Sequence, residues 1–116
     1  MSAHNRLATY GTLAPGRVNH HQVSELSGEW KQGVVRGQLV EEGWGADHGC
    51  PGIILDHSGD PVEVFIFESP DLPNHWARLD EFEGAEYSRT EVCVEMEDGT
   101  VDAFIYALSP SLRTLL

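Results

Sequence analysis

The stretch "RTEVCVEMEDGTVDAFIYAL", Arg89 to Leu108, decides the fold class. Apolar and polar residues alternate on both sides of Asp98-Gly99, a dipeptide that favours the tight turn of a β-hairpin. Successive side chains of a strand point to opposite faces, so each of the two strands has one apolar face. The sequence therefore predicts an antiparallel hairpin whose apolar face is formed by Val92, Val94, Met96, Val101, Ala103 and Ile105.

Upstream segments are also typical of strands. They are rich in β-branched and aromatic residues and are separated by glycine and proline. In order they are "RLATY" (6–10), "GVVRGQLVEE" (33–42), "GIILD" (52–56) and "PVEVFIFES" (61–69). In the second segment, Val35, Gly37 and Leu39 share one side. Between the first two, "GRVNHHQVSEL" (16–26) has loose helical spacing and predicts a short helix.

One segment has a clear helical period. Leu72, Trp76, Leu79 and Phe82 recur at spacings of four and three, which predicts a helix with these residues on its buried face. The start signals are Ser69 as N-cap, Pro70 at the first helical position and Asp71 in the first turn. The helix should end near Glu83, since Gly84 can adopt the left-handed conformation that closes helices.

The order of elements is strand, short helix, three strands, main helix and two strands. This order is typical of an α+β protein with a largely antiparallel sheet, and so many strands in a small chain favour a partly closed β-barrel. At 116 residues, we expect residues 1–116 to form a single domain.

The charge of the chain argues against some partners. Nineteen acidic and seven basic residues give a formal net charge of -12, which repels phosphate backbones and anionic lipid, so nucleic acid is not expected as a partner. An acidic, lysine-poor surface would also suit a high-salt cytoplasm, but plain solubility is the favoured explanation. No apolar run approaches the roughly 20 residues of a membrane span.

The N-terminus and the cysteines indicate where the protein works. "MSAHNRLATYG" has no apolar core after a basic start, so it does not read as a signal or transit peptide. The two cysteines, Cys50 and Cys93, are too few for a disulfide framework and are expected to be free thiols. Both observations lead us to expect a cytoplasmic protein.

The end of the main helix is crowded with carboxylates. "LDEFEGAEYSR" (79–89) contains Asp80, Glu81, Glu83 and Glu86, although the helix dipole disfavours negative charge at a C-terminus. Such violations of local rules concentrate at functional sites, and like charges with partial burial raise the pKa of a carboxyl. Glu83 is the best candidate, because it follows Phe82 at the edge of the apolar stripe, whereas Asp80 and Glu81 are expected further toward solvent. The alternative is a solvated acidic surface.

A second stretch, "YGTLAPG" (10–16), runs from a strand into a glycine-rich turn. Glycine allows close approach of the backbone, and successive free N–H groups can hold a carboxylate. On its own, a strand followed by Gly-Thr is also an ordinary turn.

Together, "YGTLAPG" followed by "NHH", and "LDEFEGAEYSR" about seventy residues later, resemble the two signature segments of the γ-glutamylcyclotransferase-like family, which includes small AIG2-like proteins. The resemblance covers nearly the whole chain, since "GVVRGQLVEE", "PGIILD" and "DAFIYAL" match the family's order of strands. It implies a mixed fold built on a small barrel with a substrate cavity.

The resemblance also implies a reaction that needs no cofactor and no metal. The α-amine of a γ-glutamyl group attacks its own γ-carbonyl and releases 5-oxoproline and a free amine. Glu83 would be the catalytic acid and base, and the segment Tyr10, Gly11, Thr12 and Leu13 would bind the small γ-glutamyl substrate. Tyr87 and Tyr106 match family tyrosines that line the cavity, although Tyr106 shares a strand face with Phe104 and Leu108, which also suits core packing.

Several alternatives remain open from the residues. A zinc site could use Asp47, His48, Cys50 and His57, but their spacing fits no standard site. The adjacent histidines His20 and His21 would point about 100° apart on a helix, which makes a shared ion difficult. Neither cysteine shows the basic surroundings of a nucleophilic thiol. A domain of this fold that binds a metabolite or a protein without turnover is the main functional alternative.

Overall fold

The computed structural model describes residues 3–10, 20, 23–40, 52–84 and 87–109. Six strands and one α-helix lie within these ranges, together with 3-10 turns at Ala3–Asn5 and Leu72–Asn74. The strands are β1 (Arg6–Thr9), β2 (Glu29–Val40), β3 (Gly52–Leu55), β4 (Asp60–Glu68), β5 (Tyr87–Met96) and β6 (Gly99–Leu108), and the helix is α1 (Trp76–Glu83). The predicted segments at 6–10, 33–42, 52–56 and 61–69 thus all contain strands.

The sheet closes on itself. Its strands follow the order β3-β2-β4-β1-β6-β5, and β5 returns to β2 through the pair Val34 and Glu95. The ring β2-β4-β1-β6-β5 is therefore a five-stranded barrel, with β3 paired to the end of β2. All pairings are antiparallel except β1–β6. The α+β class, the largely antiparallel barrel and the single main helix are confirmed.

Two apolar clusters lie on opposite sides of the barrel wall. The inner cluster fills the barrel and is formed by Ala8, Val35, Ile53, Val62, Val64, Ile66, Val94, Ala103, Ile105 and Ala107. The outer cluster joins the wall to α1 and is formed by Leu7, Val23, Phe67, Leu72, Trp76, Leu79 and Tyr106. Burying an aliphatic or aromatic side chain contributes about 1.5–3 kcal/mol, so the outer cluster is what fixes α1 to the barrel.

The hairpin of β5 and β6 forms as the alternation predicts. Val94, Ala103 and Ile105 are buried in the inner cluster, while Val92, Met96 and Val101 pack against it. Met96 pairs with Gly99, so the two connecting residues are Glu97 and Asp98. Gly99 adopts φ 139°, a conformation that side chains with a Cβ rarely take, which explains the glycine after the turn.

The main helix ends as expected but starts later than expected. Gly84 closes it with φ 81° and donates its N–H to the Asp80 carbonyl at 3.0 Å. The predicted start at Ser69, Pro70 and Asp71 is wrong, because these three residues precede the helical segment and the N-cap of α1 is His75. The Ser69 Oγ accepts the Asp71 N–H at 3.0 Å within the preceding turn. Pro73 has no N–H for an α-helical hydrogen bond to Ser69, so residues Leu72–Asn74 form a 3-10 turn and α1 begins at Trp76.

The predicted buried face of the helix is wrong at Phe82. Leu72, Trp76 and Leu79 are buried, but Phe82 is 39% exposed. The inward face instead continues from Leu79 to the residue four positions later, Glu83, which is half-buried. A carboxylate therefore takes the position that the apolar period assigned to a phenylalanine.

Two of the predicted segments lie partly outside the described residues. The predicted helix at 16–26 falls largely outside the described residues, with a turn at Val23–Glu25, and residues 41 and 42 of the second predicted strand also fall outside. Among the residues that the structure describes, no helix is both long enough and apolar enough to cross a bilayer.

The β3–β4 connection crosses β2 at a contact between two glycines. Gly37 pairs with Leu55 of β3 on one side and with Asp60 of β4 on the other. A Cβ on Gly59 would lie 2.9 Å from the Gly37 Cα, and a Cβ on Gly37 would collide with the Ile54 carbonyl oxygen. Both obstacles are backbone atoms, so no rotation of a side chain relieves them.

We therefore expect Gly37→Ala to destabilise the protein by about 1 to 3 kcal/mol, the usual cost of overpacking. The neighbouring Gln38→Ala, at an exposed position of β2, should change stability by less than about 0.5 kcal/mol. Urea unfolding of both variants followed by circular dichroism measures the difference. Equal midpoints for the two variants would contradict the proposed crossing.

Candidate active site

Glu83 lies in the last turn of α1, on the side of the helix that faces the barrel. Trp76, Leu79, Asp80 and Glu83 follow the spacing i, i+3, i+4 and i+7, which places them on one helical face. Trp76 and Leu79 are buried, and the Trp76 indole N–H donates to the His4 carbonyl at 2.8 Å. These anchors hold the carboxyl of Glu83 in a partly desolvated position.

Burial raises the pKa of the Glu83 carboxyl from its ordinary 4.5 to about 7. Removal from water disfavours the charged form of a carboxyl, and this desolvation is the cause of the shift. A group with this pKa is protonated and deprotonated in comparable amounts at neutral pH, which suits it to accept and then return a proton.

Asp80, one turn earlier, lies at the centre of a polar network. Its Oδ1 accepts the Tyr106 hydroxyl at 2.7 Å and the Arg89 Nε–H at 2.8 Å, and its Oδ2 accepts the Arg89 Nη2–H at 3.3 Å. The expectation that Asp80 faces solvent is therefore only half right, because its side chain is 42% exposed but its oxygens bind β5 and β6. Glu81 is exposed as expected.

The tyrosines join this network to the barrel. The Tyr10 hydroxyl donates to the Tyr106 carbonyl at 2.6 Å and accepts the Ile53 N–H at 3.1 Å, so it bridges β6 and β3. Burial, followed by the charges of Tyr87 and Glu83, raises the pKa of Tyr10, while the hydrogen bond from Ile53 opposes the shift. Burial, followed by the bond to Asp80, raises the pKa of Tyr106, and the charge of Glu83 adds to it. Both phenols are therefore protonated at neutral pH.

The structure thus brings together four of the residues singled out in the sequence. The charge of Glu83 acts on the ionisation of both Tyr10 and Tyr106, and Tyr87 acts on that of Tyr10. Tyr106 also packs in the outer cluster, as its strand face suggested. The remaining predicted binding residues, Gly11, Thr12 and Leu13, lie outside the described residues.

The metal hypotheses gain no support from the described ranges. Asp47, His48, Cys50 and His21 lie outside them, and His57 and His20 lie within them. Across the parts of the chain that are described, no three His, Cys, Asp or Glu side chains converge as metal ligands do. Cys93 is a free, exposed thiol on β5.

The family model described as "Gamma-glutamyl cyclotransferase, AIG2-like" matches residues 7–115. The chain belongs to this family. The match includes both segments on which the resemblance rested and all six strands, apart from the first residue of β1. No curated protein matches the sequence.

Solved structures with the same fold include members from distant organisms. An AIG2-like protein of Mus musculus superposes with a TM-score of 0.72 at 25% identity, covering 94% of this chain and 82% of that one. YkqA from Bacillus subtilis superposes with a TM-score of 0.69 at 25% identity, and the match covers 90% of this chain but 36% of the YkqA chain. An allophanate hydrolase of Kluyveromyces lactis superposes with a TM-score of 0.68 at 15% identity, and the match covers 94% of this chain and 18% of the hydrolase. At this identity the match shows a shared fold alone.

Asp80 and Arg89 are the site residues that sequence reasoning missed. Asp80 lies four residues after Trp76 and three before Glu83, a spacing that places it on the inward face. Arg89 lies two residues after Tyr87 on β5, so both share the strand face that meets α1. These spacings were visible in the sequence, but the apolar period had assigned the face to Phe82 instead.

The buried carboxyl predicts a pH-dependent effect of Glu83→Gln on stability. Since the folded pKa is raised, the native state binds this proton more tightly than the unfolded chain does. The resulting stability is present below about pH 4.5 and is lost as the pH rises to about 7. The neutral glutamine has no such loss, so Glu83→Gln should be more stable than wild type by about 3 kcal/mol at pH 8 and about equal at pH 4.5.

Urea unfolding at both pH values measures this difference. Glu81→Gln is the matched control, because it removes an exposed carboxylate from the same helix, and its difference from wild type should be nearly constant with pH. A Glu83→Gln difference that is the same at both pH values would argue that the carboxyl is fully solvated.

Proposed function

We propose that the protein is a γ-glutamylcyclotransferase that releases 5-oxoproline and a free amine from a γ-glutamyl amine or γ-glutamyl amino acid. Family membership supports the general class of reaction. The observation that carries the proposal is the half-buried carboxyl of Glu83, with a pKa of about 7, beside three buried or half-buried tyrosines.

The chemistry needs a group that moves a proton at neutral pH. Glu83 takes a proton from the substrate's α-ammonium, and the free amine attacks the γ-carbonyl carbon to form the C–N bond of a five-membered lactam. The bond from this carbon to the leaving nitrogen then breaks, and Glu83 delivers the first proton to that nitrogen. The ring nitrogen loses its second surplus proton, which the released amine takes up to leave as an ammonium ion. No water is consumed, so the reaction is an intramolecular acyl transfer.

Ring closure gains from position as well as from proton transfer. Both reacting groups belong to one molecule, so a site that holds the γ-glutamyl chain bent removes much of the entropic barrier. In our proposal, the segment Tyr10, Gly11, Thr12 and Leu13 binds the substrate through backbone N–H groups, and Tyr87 and Tyr106 line the cavity. Neither a metal nor a cofactor has a role in this scheme.

The main competing function is a module that binds a metabolite without turnover. A binding module gains nothing from a desolvated carboxyl with a pKa near 7, because burial of that group destabilises the fold above neutral pH. Retention of Glu83 in this position therefore favours catalysis.

We expect wild-type protein to release 5-oxoproline from at least one member of a panel of γ-glutamyl amino acids, γ-glutamyl amines and ε-(γ-glutamyl)lysine. Glu83→Gln should lower kcat by about 10²- to 10⁴-fold, the usual contribution of a general acid and base. Mass spectrometry of the product measures both, with Glu81→Gln as the control that should keep wild-type activity. Equal activity of the Glu83→Gln variant would remove Glu83 from the mechanism.

The pH profile of the same reaction reports the state of Glu83. The base must be unprotonated, so kcat/KM should fall as the pH drops through an apparent pKa near 7. Initial rates at low substrate concentration between pH 5 and 9 measure this acid limb. A limb centred near 4.5, the value of a solvated glutamate, would be inconsistent with catalysis by a buried Glu83.

A further inference from the structure

We propose that the ion pair of Arg89 and Asp80 is a positioning element of the active site, which fixes Glu83 relative to Tyr106 and cancels the charge of Asp80 beside it. The inference rests on the proposed function for its kinetic consequences. Its structural part concerns the resting protein and can be tested without a substrate.

Asp80 lies next to Glu83 on the same face of the helix. It precedes Glu83 by three residues on α1, a spacing at which side chains are neighbours, with Cβ atoms about 5–6 Å apart. A second carboxylate at this distance disfavours the ionised form of Glu83. Arg89 supplies the compensating positive charge, through two hydrogen bonds to the two oxygens of Asp80.

Arg89 is itself held in place by two aromatic rings. Its guanidinium carbon lies 4.8 Å from the ring centroid of Trp76 and 4.7 Å from that of Phe104, so it contacts aromatic rings of both α1 and β6. The side chain is 25% exposed. A planar guanidinium can stack on rings and bind a carboxylate bidentately at the same time, which an ammonium cannot do.

Hydrogen bonds connect Asp80 to Tyr106 and, through Tyr106, to Tyr10. A phenol has one proton, and Tyr106 donates it to Asp80. Its lone pairs are therefore what the hydroxyl offers to other groups of the site. The Tyr106 carbonyl in turn accepts the Tyr10 hydroxyl, so the network runs from β5 through α1 and β6 to the residue that follows β1. Movement of Asp80 would disturb both tyrosines and the end of α1.

The worth of this pair for stability alone is small. Asp80 is 42% exposed, and an ion pair with such solvent access adds little to the stability of a fold, because water screens the charges. The pair Arg36 and Glu95 has the same kind of bidentate geometry, with distances of 2.9 and 3.3 Å, at exposed positions away from Glu83. It provides a matched control in which an ion pair is broken far from the site.

The test is the pKa of the Glu83 carboxyl, measured by carbon-13 NMR titration of the resting protein. Among the described residues, Tyr10 and Tyr106 interact electrostatically with Glu83, while Tyr87 acts on Tyr10, and Asp80 and Arg89 act on Tyr106. Arg89→Met keeps an unbranched side chain between the rings and leaves Asp80 uncompensated, so the pKa of Glu83 should rise by about 0.5 to 1 unit. Asp80→Asn leaves Arg89 uncompensated and should lower it by a similar amount.

Two further variants keep the test independent of folding defects. The double variant Asp80→Asn/Arg89→Met removes both charges and should return the pKa of Glu83 to within about 0.3 units of wild type. Arg89→Lys keeps the charge, so the pKa should change little, but it loses the bidentate contact, and kcat should fall about tenfold or more with a smaller change in KM. Arg36→Met should leave both quantities unchanged.

If the Arg89–Asp80 pair had only a structural role, the pKa of Glu83 would change differently across the variants. Loosening of the helix end would admit water and move the pKa of Glu83 toward 4.5 in every variant, including Arg89→Met. A fall or no change of this pKa in Arg89→Met would overturn the inference. Absence of 5-oxoproline release by the wild type would bear on the proposed function alone, since the titration needs no substrate.

Discussion

The structure of the site depends on how helix α1 is held against the barrel. The helix has eight residues, too few to be stable alone in water, so tertiary contacts must maintain it. Trp76 and Leu79 bury the apolar part of its inner face, and at the polar part Asp80 forms an ion pair with Arg89 of β5. Only with these contacts in place does Glu83, at the last position of the helix, face the barrel.

The position of Glu83 is unfavourable for the stability of the fold, but it raises the pKa of the carboxyl. A carboxylate at a helix C-terminus is disfavoured by the helix dipole, and partial burial disfavours its charge further. The partial burial keeps a proton on Glu83 up to about neutral pH, where a solvated glutamate would have lost it. The buried apolar clusters inside the barrel and under the helix supply the stability that offsets this unfavourable placement.

Local patterns predicted the elements, and tertiary contacts decided the rest. The hairpin and the end of α1 at Gly84 follow from residues adjacent in sequence, so both were predictable. The pairing of Val34 with Glu95 closes the barrel between residues distant in sequence, and no local pattern identifies it. Phe82 was misplaced because an apolar period assumes that the inner face is apolar throughout, whereas here its last position carries the catalytic candidate.

The most direct test of the account is a crystal structure of the protein with 5-oxoproline, the product that the proposed reaction releases. The account predicts the lactam in contact with the Glu83 carboxyl, bordered by Tyr10 and Tyr106 and by the segment that follows Tyr10. A lactam bound elsewhere, with the surroundings of Glu83 unchanged, would contradict the assignment of this end of α1 as the active site.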